Sequence, residues 1–182
     1  MKKILSILSV LLVSACSSSP YTYHVEPTPL KKQETKYSIA EVNVNLTQGY
    51  NGDASLEKFA TQAEVQELFR KTLESNLNDA GVLARDDETE VNLVIDIDYV
   101  RTFNHGGESL NKPEVSHNVT IISGSEKLAS FSQGKYTTKY GYLKDLAVNM
   151  EITAFSWDEE DEPQDIELIS KLIAQDILNV GD

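Results

Sequence analysis

"EVNLVIDIDYVRTF", residues 90–103, alternates so regularly that it decides the fold class. Val91, Leu93, Ile95, Ile97 and Tyr99 fall on one side, and Asn92, Asp96 and Asp98 lie on the other with Val94. Successive side chains of an extended chain point to opposite faces, so the spacing predicts a strand with one face on a core and one in water. Downstream, "NHGGESLNKP" (104–113) reads as a loop. "EVSHNVTIISG" (114–124) then sets Val115, His117, Val119 and Ile121 against Ser116, Asn118 and Thr120. "SGSE" turns the chain into "KLASFSQGKYTTKY" (127–140), which completes a hairpin.

Upstream, "KYSIAEVNVNL" (36–46) predicts another strand, with Val42, Val44 and Leu46 on one face and Ile39 out of register. "TQGYNGD" (47–53) carries two glycines and reads as a loop. From about Ala63 to Ala80, Val65, Leu68, Phe69, Thr72, Leu73, Leu77 and Ala80 recur at three- and four-residue steps. That is one face of a helix, stopped by Gly81. A second stripe, Ile166, Ile169, Leu172, Ile173, Ile177 and Val180, follows Pro163, a residue suited to the first helical turn. Between them "GYLKDLAVNMEITAF" (141–155) is ambiguous: Leu143, Leu146 and Met150 have helical spacing, while Val148, Met150, Ile152 and Ala154 alternate as a strand would.

The economical way to bury two helical stripes is against one face of a sheet. The expected fold is therefore α+β: a two-layer sandwich with a mostly antiparallel sheet of about four or five strands and two amphipathic helices on one face. The first strand–helix–strand unit should cross over right-handed, leaving its two strands parallel.

The amino terminus speaks of location. Lys2 and Lys3 precede an uncharged run, Ile4–Ala15, which is too short to span a bilayer and suits the core of a secretory signal. Val13-Ser14-Ala15-Cys16 resembles the bacterial lipobox, which implies S-diacylglycerol and N-acyl groups on Cys16, the chain's only cysteine, with cleavage just before it. Several acyl chains on one residue anchor stably, where one holds marginally. Ser17 in place of aspartate implies the periplasmic face of the outer membrane. Three segments are expected: a signal peptide at 1–15, the lipidated cysteine with a Pro/Ser-rich tether at 16–36, and one periplasmic domain at 37–182. Pro20, Pro27 and Pro29 favour extended conformations in that tether, where His24 reads as solvated.

The order of these segments resembles the YajG-type family of small bacterial lipoproteins. The likeness runs through the lipobox, the tether, "ELFRKTLESNLNDAGV" (67–82) leading into "EVNLVIDIDYV" (90–100), the hairpin, and the terminal "ISKLIAQDILN" (169–179). It is also similar to periplasmic α/β modules such as the amino-terminal domain of TolB and lipoprotein activators of peptidoglycan synthases. The resemblance implies binding roles in the envelope and carries over no catalytic residue. The acidic "WDEEDEP" (157–163) departs from the family's pattern.

With 16 Lys+Arg against 29 Asp+Glu, a net charge of −13 repels nucleic-acid phosphate and anionic lipid alike. His105-Gly106-Gly107 lacks the partner G-x-S-x-G elbow of an esterase. His117 reads as a packed histidine. Asp96 and Asp98 share a strand face; buried together they would raise each other's pKa, but a solvent-facing edge is the simpler expectation. Asp158, Glu159, Glu160, Asp161 and Glu162 supply hard oxygen ligands for Ca²⁺ without the spacing or turn glycine of an EF-hand. Tyr136, Tyr140, Tyr142, Phe155 and Trp157 cluster in sequence as a candidate interaction surface, aromatic packing being the competing expectation.

No catalytic residue, metal site or cofactor is therefore expected beyond the lipid. The expected function is a non-catalytic binding, scaffold or activator module for an envelope protein or cell-wall component, held to the membrane through its anchor. The alternative is a small-ligand or Ca²⁺ receptor using loop 158–162, with Asp158, Glu159 and Asp161 as ligands.

Overall fold

In the computed structural model the described residues are 20–49, 56–85, 90–104 and 109–182. The expected signal segment, Cys16 and His105-Gly106-Gly107 lie outside them. Five strands form one sheet in the order β1-β5-β4-β3-β2: β1 (Thr22–Tyr23), β2 (Ser38–Gln48), β3 (Val91–Phe103), β4 (Leu110–Ser123) and β5 (Glu126–Thr137). Only β2–β3 is parallel; the other three pairings are antiparallel. Three helices complete the fold: α1 (Gln62–Asp79), α2 (Tyr142–Thr153) and α3 (Glu162–Leu178). The α+β expectation holds, with one addition: α2 is a third helix, set apart from the pair on the sheet.

Local sequence accounts for the elements. Thr61 and Glu64 form a capping box that starts α1. Gly81, at φ +71°, ends it: Gly81 N–H donates to the Asn78 carbonyl and Val82 N–H to the Leu77 carbonyl, the paired bonds of a Schellman motif. Ile39 fell out of register because the β2–β3 pairing shifts between Ile39 and Glu41, so one extra residue turns Ile39 back toward the core. A shift in β5 between Tyr136 and Gln133 likewise puts both Phe131 and Tyr136 on the core side. Pro113 was expected in a loop but lies in β4, at the register shift between Val100 and Thr102 of β3. A missing N–H is tolerated at such an irregularity.

One core holds the sandwich. Val65, Phe69, Leu73 and Leu77 of α1 meet Ile166, Ile169, Ile173 and Ile177 of α3 over Val44, Leu93, Ile95, Ile97, Val119 and Ile121 of the sheet. The opposite sheet face stays polar, with Asn43, Asn45, Asp96 and Asp98 exposed.

The tether expectation needs correction. Residues 21–36 lie against the domain as a strap. β1 pairs with β5, the Tyr21 ring packs edge-on to Phe131 at 5.4 Å, and Leu30 is 1 % exposed within the main core. The carboxyl terminus closes over it: Gly181 N–H donates to the Tyr23 hydroxyl, and Asp182 N–H to the Leu30 carbonyl. Composition misled because the prolines and charges face water, while Tyr21, Tyr23, Val25 and Leu30 supply the apolar contacts.

Candidate functional site

α2 resolves the ambiguous segment and explains it. Val148 and Ile152 are buried beneath the helix, whereas Leu143 is 78 % exposed, Leu146 54 %, Met150 65 % and Tyr142 86 %. At 3.6 residues per turn, Leu143, Ala147, Met150 and Ala154 lie roughly opposite the Val148–Ile152 stripe. The helix is thus apolar on two opposite faces, and stepping between them every second residue gives the strand-like alternation. A surface helix ordinarily turns polar side chains to water; an all-round apolar one belongs in an interior. Among the described residues, nothing covers the outer stripe.

The end of α2 carries a further irregularity. Ser156 N–H donates to the Glu151 carbonyl and Phe155 N–H to the Ile152 carbonyl, so Phe155 occupies the left-handed position of a Schellman ending, at φ +59°. Glycine fits there at no steric cost, while a side chain with a Cβ strains the backbone by about 1 kcal/mol or more. The strain has no packing reward, since Phe155 is 57 % exposed. It sets an aromatic ring in water just past the end of α2, a local fault of the kind found where a surface works.

Beneath α2 a second small core fixes the platform. Phe59, Phe103, Leu110, Val148, Ile152 and Trp157 cluster, with Tyr140 packed edge-on against Trp157 at 6.1 Å. Leu110 N–H donates to the Trp157 carbonyl (2.7 Å) and the Ser109 hydroxyl to the Phe155 carbonyl (2.6 Å). Asp165, in the first turn of α3, accepts from the Tyr140 hydroxyl (2.7 Å) and Trp157 Nε1 (3.3 Å). Burial pushes this carboxyl above the ordinary aspartate range, and the hydrogen bonds from Tyr140 and Trp157 pull against that rise. At the start of α2, Lys112 donates to Asp145 at 2.6 Å and holds its carboxyl below the usual range.

The five aromatic candidates therefore separate. Trp157 is buried, and Tyr136 and Tyr140 are half-buried and hydrogen-bonded; only Tyr142 and Phe155 reach the surface. Leu143, Leu146 and Met150 of the same segment are exposed with them. Spacing alone did not single these out, although two apolar stripes in one short helix were the available signal.

The acidic loop does not gather its carboxylates. Glu159 pairs with Lys58 at 3.0 Å, and Asp161 accepts from Asp158 N–H and from the Gln164 side chain. Glu162 leaves the loop altogether, gripping Arg101 through two 2.7 Å bonds, with both side chains about 3 % exposed. Among the described residues no group of three or more His, Cys, Asp or Glu side chains is placed to hold a metal ion. Asp96 and Asp98 face water and accept from Asn43 and Asn45, each at 3.0 Å. His117 is buried in the sheet face, with Nδ1 2.9 Å from the Tyr136 hydroxyl, and burial lowers its pKa to about 4. His24 is exposed, with Nε2 3.0 Å from the Ser130 hydroxyl. A groove of about 320 Å³ opens between the end of β5 and α3, lined by Gln133, Tyr136, Leu168, Leu172 and Asp176 among others. No described helix is long and apolar enough to cross a membrane.

No protein-family model matches this chain, and no curated protein sequence matches it. Among solved structures it is similar to a minor lipoprotein from Acinetobacter baumannii, at 13% identity over 82% of this chain and 93% of that one, with a TM-score of 0.34. A PelC dodecamer from Paraburkholderia phytofirmans is similar at 12% identity over 86% of this chain and 94% of that one, with a TM-score of 0.31. So is a protein described as a neuraminyllactose-binding hemagglutinin homolog from Helicobacter pylori, at 11% identity over 81% and 85%, with a TM-score of 0.37. At these identities and TM-scores none of them lends a residue role or an activity to this chain.

Proposed function

We propose that the protein is a lipoprotein of the YajG type, held to the periplasmic face of the outer membrane by acyl chains on Cys16. Its domain acts by binding a component of the envelope as a scaffold or activator, without catalysing a reaction. The observation that carries this reading is the outer stripe of α2: Leu143, Leu146 and Met150 stand in water side by side on an otherwise acidic protein, with exposed Tyr142 at the start of the helix and the exposed, strained Phe155 just past its end. Single exposed apolar residues are ordinary, but a contiguous patch marks a contact. The carboxylates of loop 158–162 are turned to separate groups, Glu159 to Lys58, Asp161 to Gln164 and Glu162 to Arg101, and this dispersal speaks against the calcium reading.

The test is a photo-crosslinking side chain at Leu146 in cells expressing the full chain, with one at Lys127 as control. The expected result is a discrete adduct from position 146, lost in the Leu143→Ser/Met150→Ser background, and none from 127. Equal, diffuse labelling from both positions would refute a docking surface on α2.

A further inference from the structure

We infer that the component docked on α2 is the lipid surface itself: its outer stripe lies in the boundary between headgroups and acyl chains of the bilayer that holds the anchor. This rests on the anchored reading above and names the occupant of the same site. The argument begins with the length of free chain. Were residues 16–36 a loose tether, they would reach ~70 Å at about 3.5 Å per residue. Because the strap is packed from Tyr21 onward, only the steps from Cys16 to Tyr21 remain, a reach of ~18 Å. A domain anchored at Cys16 therefore sits on the bilayer rather than hanging away from it.

The direction of the strap says which end faces down. β1 pairs Tyr23 with Ala129 and Thr22 with Ser130, so the chain upstream of β1 heads toward Thr137. That is the end of β5 from which residues 138–141 pass into α2. The chain that leads back to Cys16 thus heads toward the end of the domain that carries the uncovered apolar stripe, while the hairpin turn at Gly124 marks the other. The stripe itself is chemically suited. Leu143, Leu146, Ala147, Met150 and Ala154 carry no charge, Tyr142 and Phe155 add exposed aromatic rings at the two ends of the helix, and the exposed Lys144 and Glu151 lie along one flank. An interfacial helix buries such a face about 5–10 Å deep. A net charge of −13 supplies no attraction to anionic lipid, so the contact is apolar and does not require it.

The experiment reconstitutes the full mature lipoprotein into phosphatidylcholine vesicles. Its only native cysteine is the acylated one, so Leu146→Cys, or Lys127→Cys as control, takes an environment-sensitive fluorophore uniquely. Emission from position 146 should shift to the blue and be largely lost when nitroxide-bearing lipid is included; position 127 should be unaffected. Adding Leu143→Ser and Met150→Ser should weaken the quenching several-fold without moving the far-ultraviolet circular dichroism. An acylated protein whose label at 146 is unquenched, whether in water or shielded by a protein or a second copy, overturns the lipid proposal alone. An unacylated Cys16 overturns the anchored reading, and this proposal with it.

Discussion

Phe155 sits where backbone geometry asks for glycine, and its ring gains little from the protein around it. Phe155→Gly should raise stability by about 1 kcal/mol in urea unfolding while weakening the α2 contact, a trade that a purely structural residue would not show. His117 presents the opposite case, a polar ring placed inside. Its pKa falls from 6.5 to about 4 on folding, so between those values the unfolded chain binds a proton that the folded chain refuses. The stability is fully present above about pH 6.5 and is lost as pH falls toward 4, on the order of 3 kcal/mol in all. His117→Gln should flatten that part of the pH–stability curve; an unchanged slope would show that other groups govern it. Arg101 could have been suspected from its position alone, two residues beyond Tyr99 on the inward register. A buried cation demands a buried partner. Nothing in the sequence marked Glu162 as that partner, because it stood within a run that looked like solvated acid.

At the scale of elements, β3, the β4–β5 hairpin, α1 and α3 were legible because each buries one periodic face against a single core. What escaped had a different physical character. α2 has two apolar faces, so no one period describes it. The bulges near Ala40 and in β5 shift parity by one residue, which alternation reads as an exception. The strap is legible only in three dimensions: its prolines and charges set the composition, whereas a few side chains set its position. Leu30→Ala should cost about 2–4 kcal/mol, as for other fully buried leucines, and should expose 20–33 to proteolysis before the rest of the chain. A truly loose tether would show neither effect. Gly181 belongs to the same closure: it has φ +103°, and a Cβ there would overlap the Leu30 carbonyl.

Across the whole molecule, the polar sheet face and the acidic surface suit contact with water, and among the described residues the exposed large apolar side chains other than Leu172 fall within 142–155. On the proposed reading, the strap ties that segment to the anchor by shortening the free chain. Docking and anchoring would then be one arrangement, in which the position of Cys16 limits the surfaces α2 can meet. Every step of this depends on what Cys16 carries. Intact-mass spectrometry of the chain isolated from bacterial envelopes is the direct measurement. The expected mass begins at Cys16 and includes a diacylglycerol and an amide-linked acyl group; a chain that still begins at Met1, or a bare thiol at Cys16, would contradict it.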